Sequence, residues 1–297
     1  MATSTPASAT SNRRAHAPSQ QWAVWRRLRR NATAMVGLGI VCGFILLAVW
    51  APHFAPKSPY AQQIALRRQA PTAEYLLGND ELGRDVLSRL IHGSRVALSV
   101  GVTAVAIGLG LGTTLGLAGG YLGGRTDAVV VGIADVFLAF PQLLLALAIV
   151  GALGPNVTNA MIAIGIATMP TYARIVRGST LSVKNREFVE AARACGASEL
   201  RIALRHVLPN ISSPIIVHST LYLGRAILSE SYLSFLGLGI QPPHPSWGSM
   251  MASGTRYVDV SPHLAVFPGI AIMVTLLGFN LLGDGLRDAL DPRLKSL

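Results

Sequence analysis

Six stretches of the chain run for about twenty residues with hardly a charged side chain: roughly 32–51, 95–120, 129–151, 157–176, 211–236 and 264–284. A helix rises about 1.5 Å per residue, so about 20 apolar residues cross a hydrocarbon core of ~30 Å. The pattern predicts an all-α polytopic membrane protein with six transmembrane helices. Gly154-Pro155-Asn156 is a turn signal between the third and fourth runs, and the Pro- and Gly-rich stretch Gly237–Pro262 parts the fifth from the sixth. The first run, Ala32 to Pro56, exceeds the apolar core of about 7–15 residues found in a cleaved signal peptide. It reads as a retained span.

Within the second run, Gly108, Gly112, Gly116 and Gly120 recur every four residues, with Ala104 leading in. Four-residue spacing puts them on one helix face. Apolar side chains gain little by leaving lipid for a neighbouring helix, so close backbone approach through small residues is what holds helices together there. The stripe predicts a tight helix–helix seam.

Composition and charge sharpen this picture. Of 297 residues, 51% are hydrophobic and 13% charged, against about 25% charged in an average soluble protein. The net charge of +11 raises the possibility of a nucleic-acid partner, but the basic residues sit in short segments between apolar runs, without interleaved aromatics, which argues against one. Cys42 lies in the first run and Cys195 among charged residues; they predict no disulfide framework. Lys and Arg concentrate before the first run, in 174–210 and at the C-terminus. By the positive-inside rule, both termini are expected to be cytoplasmic. This divides the chain into a partly disordered tail, 1–31, and a transmembrane domain, 32–297. Within that domain, 52–94 and 237–263 are outer loops, 184–210 is a cytoplasmic loop, and 284–297 is a cytoplasmic C-terminus. Arg84 and Arg89 run against the rule, although Asp80, Glu81 and Asp85 partly offset them.

Residues 184–210 read as two short helices broken at Gly196. Asn185 is placed to cap the first, with Glu187 in its first turn; Ser198 is placed to cap the second, with Glu199 in its first turn, and Pro209 stops it. Leu200, Ala203, Leu204 and Val207 form an apolar stripe, with Arg201 and Arg205 on another face. Such an elbow suits a groove on a cytoplasmic partner, and equally a solvated connector.

Charges inside predicted spans are expensive and mark pairing or function. Asp135, Arg225 and Glu230 are so placed. Asp135 should lie about 10 Å from the cytoplasmic end of its span, at a depth where Arg174 is a candidate partner. All three either fix helix register or line a translocation path. Catalytic chemistry finds no support. The three lysines, Lys57, Lys184 and Lys295, never follow a glycine, so no phosphate-binding P-loop is present. His-Glu-x-x-His is absent, and the seven histidines are scattered, so no metal site is expected. An ion-coupled secondary transporter is the competing class, though such folds commonly show internal repeats.

The residues Glu190-Ala191-Ala192, Gly196 and Leu208-Pro209 resemble the EAA loop of bacterial ABC-importer permeases, with His206 where that pattern has Ile. Leu77–Arg89, Gly119–Gly124, Phe235–Gly239, Gln241-Pro242-Pro243, Pro245–Gly248 and Asn280–Pro292 are similar to segments of the C-type subunit of dipeptide/oligopeptide permeases. The resemblance covers about residues 30–295. It implies a type I importer transmembrane domain in a bacterial inner membrane, with the elbow as coupling helix. It also implies a second related permease, one or two ATPases that bind the ATP and Mg, and an external substrate-binding protein. This chain itself would carry no cofactor. Peptides are the implied cargo, with nickel, glutathione or another small solute as alternatives.

Overall fold

The computed structural model describes residues 20–290. In chain order the helices are α1 (Gln20–Arg30), α2 (Ala32–Val49), α3 (Ala51–Phe54), α4 (Val86–Leu122), α5 (Gly124–Leu138), α6 (Gln142–Leu153) and α7 (Val157–Val183). They are followed by α8 (Glu187–Ala194), α9 (Glu199–Ile202), α10 (Leu208–Asn210), α11 (Ser212–Phe235), α12 (Trp247–Thr255) and α13 (His263–Leu290). Among the described residues no strand forms beyond one isolated bridge, Asn79 to Asp85. The disorder expected in part of the tail 1–31 falls outside the described residues as far as residue 19, as does the tail match at Asp291-Pro292; from Gln20 to Arg30 the tail is the helix α1.

Each apolar run is helical, with differences in extent. α4 begins at Val86 because the Asp85 carboxylate caps it, accepting from the Ser88 amide at 2.8 Å. Its 37 residues rise about 55 Å, well beyond a hydrocarbon core. The third run is not one rod. α5 and α6 meet at 88°, with Pro141 leading into α6; proline has no amide hydrogen to donate and disfavours helical geometry at the residue before it. α7 continues seven residues past the expected end, to Val183, and α13 six past, to Leu290. By length and hydropathy α2, α4 and α13 can each cross a membrane, and the bent pair α5–α6 makes a fourth. α7 and α11 are long enough but more polar, with Arg174 and Arg177 on one and Arg225 and Glu230 on the other.

The centre of the bundle is built on α4 and α7. Val100 and Ala104 of α4 meet Ile164 and Tyr172 of α7, Val150 of α6, and Leu233 of α11. A second cluster, with Val41, Phe44, Ile227, Trp247 and Phe279, ties α2 to α11, α12 and α13. Conversely Val36, Val136 and Met273 are 56%, 62% and 59% exposed. Apolar residues on the outside of helices this long would be a liability in water and are at home in lipid.

Candidate functional site: the hanging loop and the charges around it

The seam legible as a glycine stripe lies between α4 and α7. A Cβ at Gly108 would collide with the Thr168 hydroxyl; one at Gly112 would stand 2.6 Å from the Met169 carbonyl oxygen. At Gly116 it would be 2.9 Å from Val176 Cβ, and at Gly120 2.9 Å from the Arg177 carbonyl oxygen. Below the seam, Lys184 Nζ donates to the Gly120 carbonyl at 2.8 Å. There the ammonium satisfies a carbonyl in the last turn of α4 that has no helical partner.

From this base hangs the loop. α8 ends in a Schellman turn: Gly196 N donates to Arg193 O at 3.0 Å and Ala197 N to Ala192 O at 3.1 Å. Gly196 has φ +81°, a backbone conformation that glycine adopts without a Cβ penalty. The caps differ from expectation. Arg186, not Asn185, holds the N-cap position of α8, and Ser198 holds that of α9 without a side-chain bond. After α9 the backbone widens into i→i+5 turns over Ala203–Val207, the Leu208 amide donating to Ala203 O. Pro209 does not end the helical path; it sits in the next turn, α10, and the path runs on to Ile211 and α11.

The widened turns change which residues face inward. Ile202, Ala203 and Val207 are buried with Val189, Val176 and Leu117 beneath the seam. Leu200 and Leu204, placed by the sequence on the same stripe, are 71% and 50% exposed. They line an open apolar cleft of about 390 Å³ with Leu117, Ala118 and Leu122 of α4. Glu190, Ala191, Gly196, Arg201, Arg205 and Pro209 are exposed, while Ala192 and Leu208 are half-buried. Leu200 and Leu204 aside, the loop thus keeps its large apolar residues against the bundle and presents its charges outward.

A polar knot that sequence reasoning missed fixes the loop to α4. Glu199 accepts from Arg193 Nε at 3.0 Å and Nη2 at 3.3 Å, and from the Tyr121 hydroxyl. Arg193, and after it Tyr121, holds the Glu199 carboxyl below its ordinary range. Another missed pair is Asp127–Arg177, a two-pronged contact between α5 and α7. Its partners stand fifty residues apart on two different helices.

The three charges expected within spans separate into different cases. Arg174 Nη2 donates to Asp135 Oδ1 at 2.7 Å, and both side chains are more than half exposed on the bundle surface. Arg225 is exposed and lies over the Tyr222 ring, 5.7 Å from its centroid. Tyr222 in turn packs on His218 at 4.6 Å, an aromatic neighbourhood the sequence did not single out. Glu230 is 1% exposed. Ser234 Oγ at 2.6 Å and Ser246 Oγ at 3.0 Å donate to its Oε1, and Ser231 Oγ at 3.4 Å to Oε2. Ser234 Oγ also accepts from the Ile240 amide. Glu230 therefore pins the segment 237–246 to α11. Among the described residues no group of His, Cys, Asp and Glu side chains is arranged to hold a metal ion.

At the opposite end Asp80, Arg84 and Arg89 are all buried. Arg84 Nε is 2.6 Å and Arg89 Nε 3.3 Å from Asp80 Oδ2, and Arg84 also reaches Glu81 at 3.0 Å. Burial, and then the neighbouring Arg84, push Arg89 down to about 10.

An α-helical bundle with a hanging loop and outward-facing apolar residues is the form of a membrane-embedded subunit. The chain belongs to the family of binding-protein-dependent transport system inner membrane components, whose model matches residues 108–296. A model for the N-terminal TM domain of oligopeptide transport permease C matches residues 19–71. The dipeptide transport system permease protein DppC of Alkalihalophilus pseudofirmus is 46% identical over 92% of this chain and 90% of its own. The glutathione transport system permease protein GsiD of Pectobacterium atrosepticum is 43% identical over 92% and 91%. GsiD of Escherichia coli is 46% identical over 91% and 90%. An inward-facing structure of the MetNI methionine ABC transporter is similar in fold. It has a TM-score of 0.55 at 17% identity and covers 68% of this chain and 96% of that one.

Proposed function

We propose that this chain is one membrane-spanning half of an ATP-driven importer for short peptides or peptide-like solutes. Six passes, with α5–α6 as one bent span, would leave both termini and the loop 184–210 in the cytoplasm. One or two ATPase subunits, binding ATP and Mg, would dock on α8 and the turn at Gly196. A second related permease would complete the pathway, and an external binding protein would deliver cargo. The curated relatives divide between dipeptide and glutathione permeases at nearly equal identity, which supports a peptide-like cargo and leaves its identity to uptake assays.

The observation that carries this reading is the division within the loop. Val189, Ile202 and Val207 are spent on the bundle, while Glu190, Ala191, Gly196, Arg201 and Arg205 are left exposed, with Leu200 and Leu204 beside them, for a partner. ATP-driven closure of the ATPases would move the elbow and rock the spans between outward and inward openings. The test is Glu190→Arg in the assembled complex. Reversing an interface charge leaves like charges opposed, so retained ATPase should fall about tenfold or more while membrane insertion stays normal. ATPase recovered at the wild-type ratio would overturn the docking assignment. Labelling of a cysteine at position 190 from outside sealed cells would overturn the orientation.

A further inference from the structure

Helix α1 carries Arg26, Arg27, Arg29 and Arg30 in its last five residues, and Asn31 alone separates it from α2. Among the described residues, none of these arginines forms an ion pair with a carboxylate. Leu28 is buried against Ala34 of α2 and Ala289 of α13, so the helix is held to the bundle on one side. On the open side Trp25 is 42% exposed, with the Arg29 guanidinium 5.9 Å from its ring centroid. Arg27 and Arg30, with Asn31, Gly285, Asp288 and Ala289, line an open cleft of about 440 Å³ between α1 and the end of α13. The carboxylate in this cleft, Asp288, accepts from Asn31 Nδ2 at 3.4 Å, so a neutral amide engages it and neither guanidinium does.

We propose that this cleft binds the phosphate headgroup of an anionic phospholipid, with α1 lying along the membrane surface. The inference rests on the proposed topology for placing α1 beneath the inner leaflet. Three features select a lipid as the occupant. Among the described residues the guanidinium groups form no ion pair, the cleft adjoins the first residues of a span, and the exposed tryptophan sits where amphipathic rings settle at an interface. A basic pocket beside a span on the cytoplasmic side is the form such sites take. Asp288 narrows the site, since a headgroup must approach from the arginine side.

The experiment is lipid retention by the purified full chain, read by native mass spectrometry against phosphatidylglycerol and phosphatidylcholine. Phosphatidylglycerol retention should fall roughly 5-fold for each arginine removed in Arg27→Gln and Arg30→Gln. Arg27→Lys with Arg30→Lys should keep it, and Arg256→Gln, in the opposite loop, should leave it unchanged. Equal retention by the glutamine variants and the wild type would overturn the proposal. So would an equal loss in Arg256→Gln, equal binding of phosphatidylcholine, or displacement of the lipid by millimolar inorganic phosphate. If the glutamine variants fold poorly, the part of the quenching by brominated phosphatidylglycerol that is lost in Trp25→Phe gives the same decision, and no loss in that variant overturns the proposal. Sidedness is read separately, by labelling Arg26→Cys in sealed vesicles; labelling from outside overturns the topology whether or not lipid is retained.

Discussion

The two ends of the molecule use charge in opposite ways. At one end Asp80, Arg84 and Arg89 are buried and partnered with one another. At the other, Glu190, Arg201 and Arg205 stand in the open. Buried pairs are costly to break and give nothing to a visitor; open charges contribute little to folding and remain available. Charge count alone would rate the two ends alike, so burial is what separates a scaffold from a contact surface.

That contrast can be broken most severely at Asp80. Asp80→Asn would leave two buried guanidinium groups short of their carboxylate, at an expected cost of about 3–5 kcal/mol. Thermal unfolding in detergent checks this, and a loss below about 1 kcal/mol would show that the outer charges are less internal than their burial implies. A smaller effect is expected at Gly112→Leu, where the new side chain meets the Met169 carbonyl and Tyr172. Overpacking of this kind costs typically about 1–3 kcal/mol, read in the same assay. In the open loop Arg201→Ala should change stability by no more than about 0.5 kcal/mol, and a larger loss would show the loop to be scaffold too.

The smallest effect concerns Glu199. Its folded-state carboxyl lies below the ordinary range, so its contribution is present above the unfolded value of about 4.3 and lost as pH falls through the folded one. Protection of the loop from trypsin should therefore stay flat from about pH 8 to pH 5. Glu199→Gln, which loosens Arg193 and Tyr121, should raise cleavage at Arg193 across that whole range. A wild-type midpoint near pH 6 would contradict the assignment.

Much of the fold is legible in the order of the residues alone. The glycine stripe is readable because its four-residue spacing is itself the geometry of a helix face, and the Asp135–Arg174 pair because both charges fall at similar depths. The right angle at Pro141 is written there too, yet apolar residues continue on both sides and a hydropathy profile reads across them. A regular helix would turn Leu200 and Leu204 inward; the i→i+5 turns rotate that register until Ile202 replaces them. Arg84 and Arg89 look like breaches of the positive-inside rule because sequence shows charge and hides burial. Glu230, a candidate for the path, is held by serines from two separate segments, and their convergence exists only in three dimensions.

The glycine seam has a mechanical consequence. Two helices keyed into one another at four levels, each notch filled by backbone or side-chain atoms of the neighbour, have no room to slip lengthwise. The ammonium of Lys184 clips their lower ends. A tug on the hanging elbow is therefore carried upward by a single stiff rod two helices thick, and whatever gives way must give at the rod's outer faces.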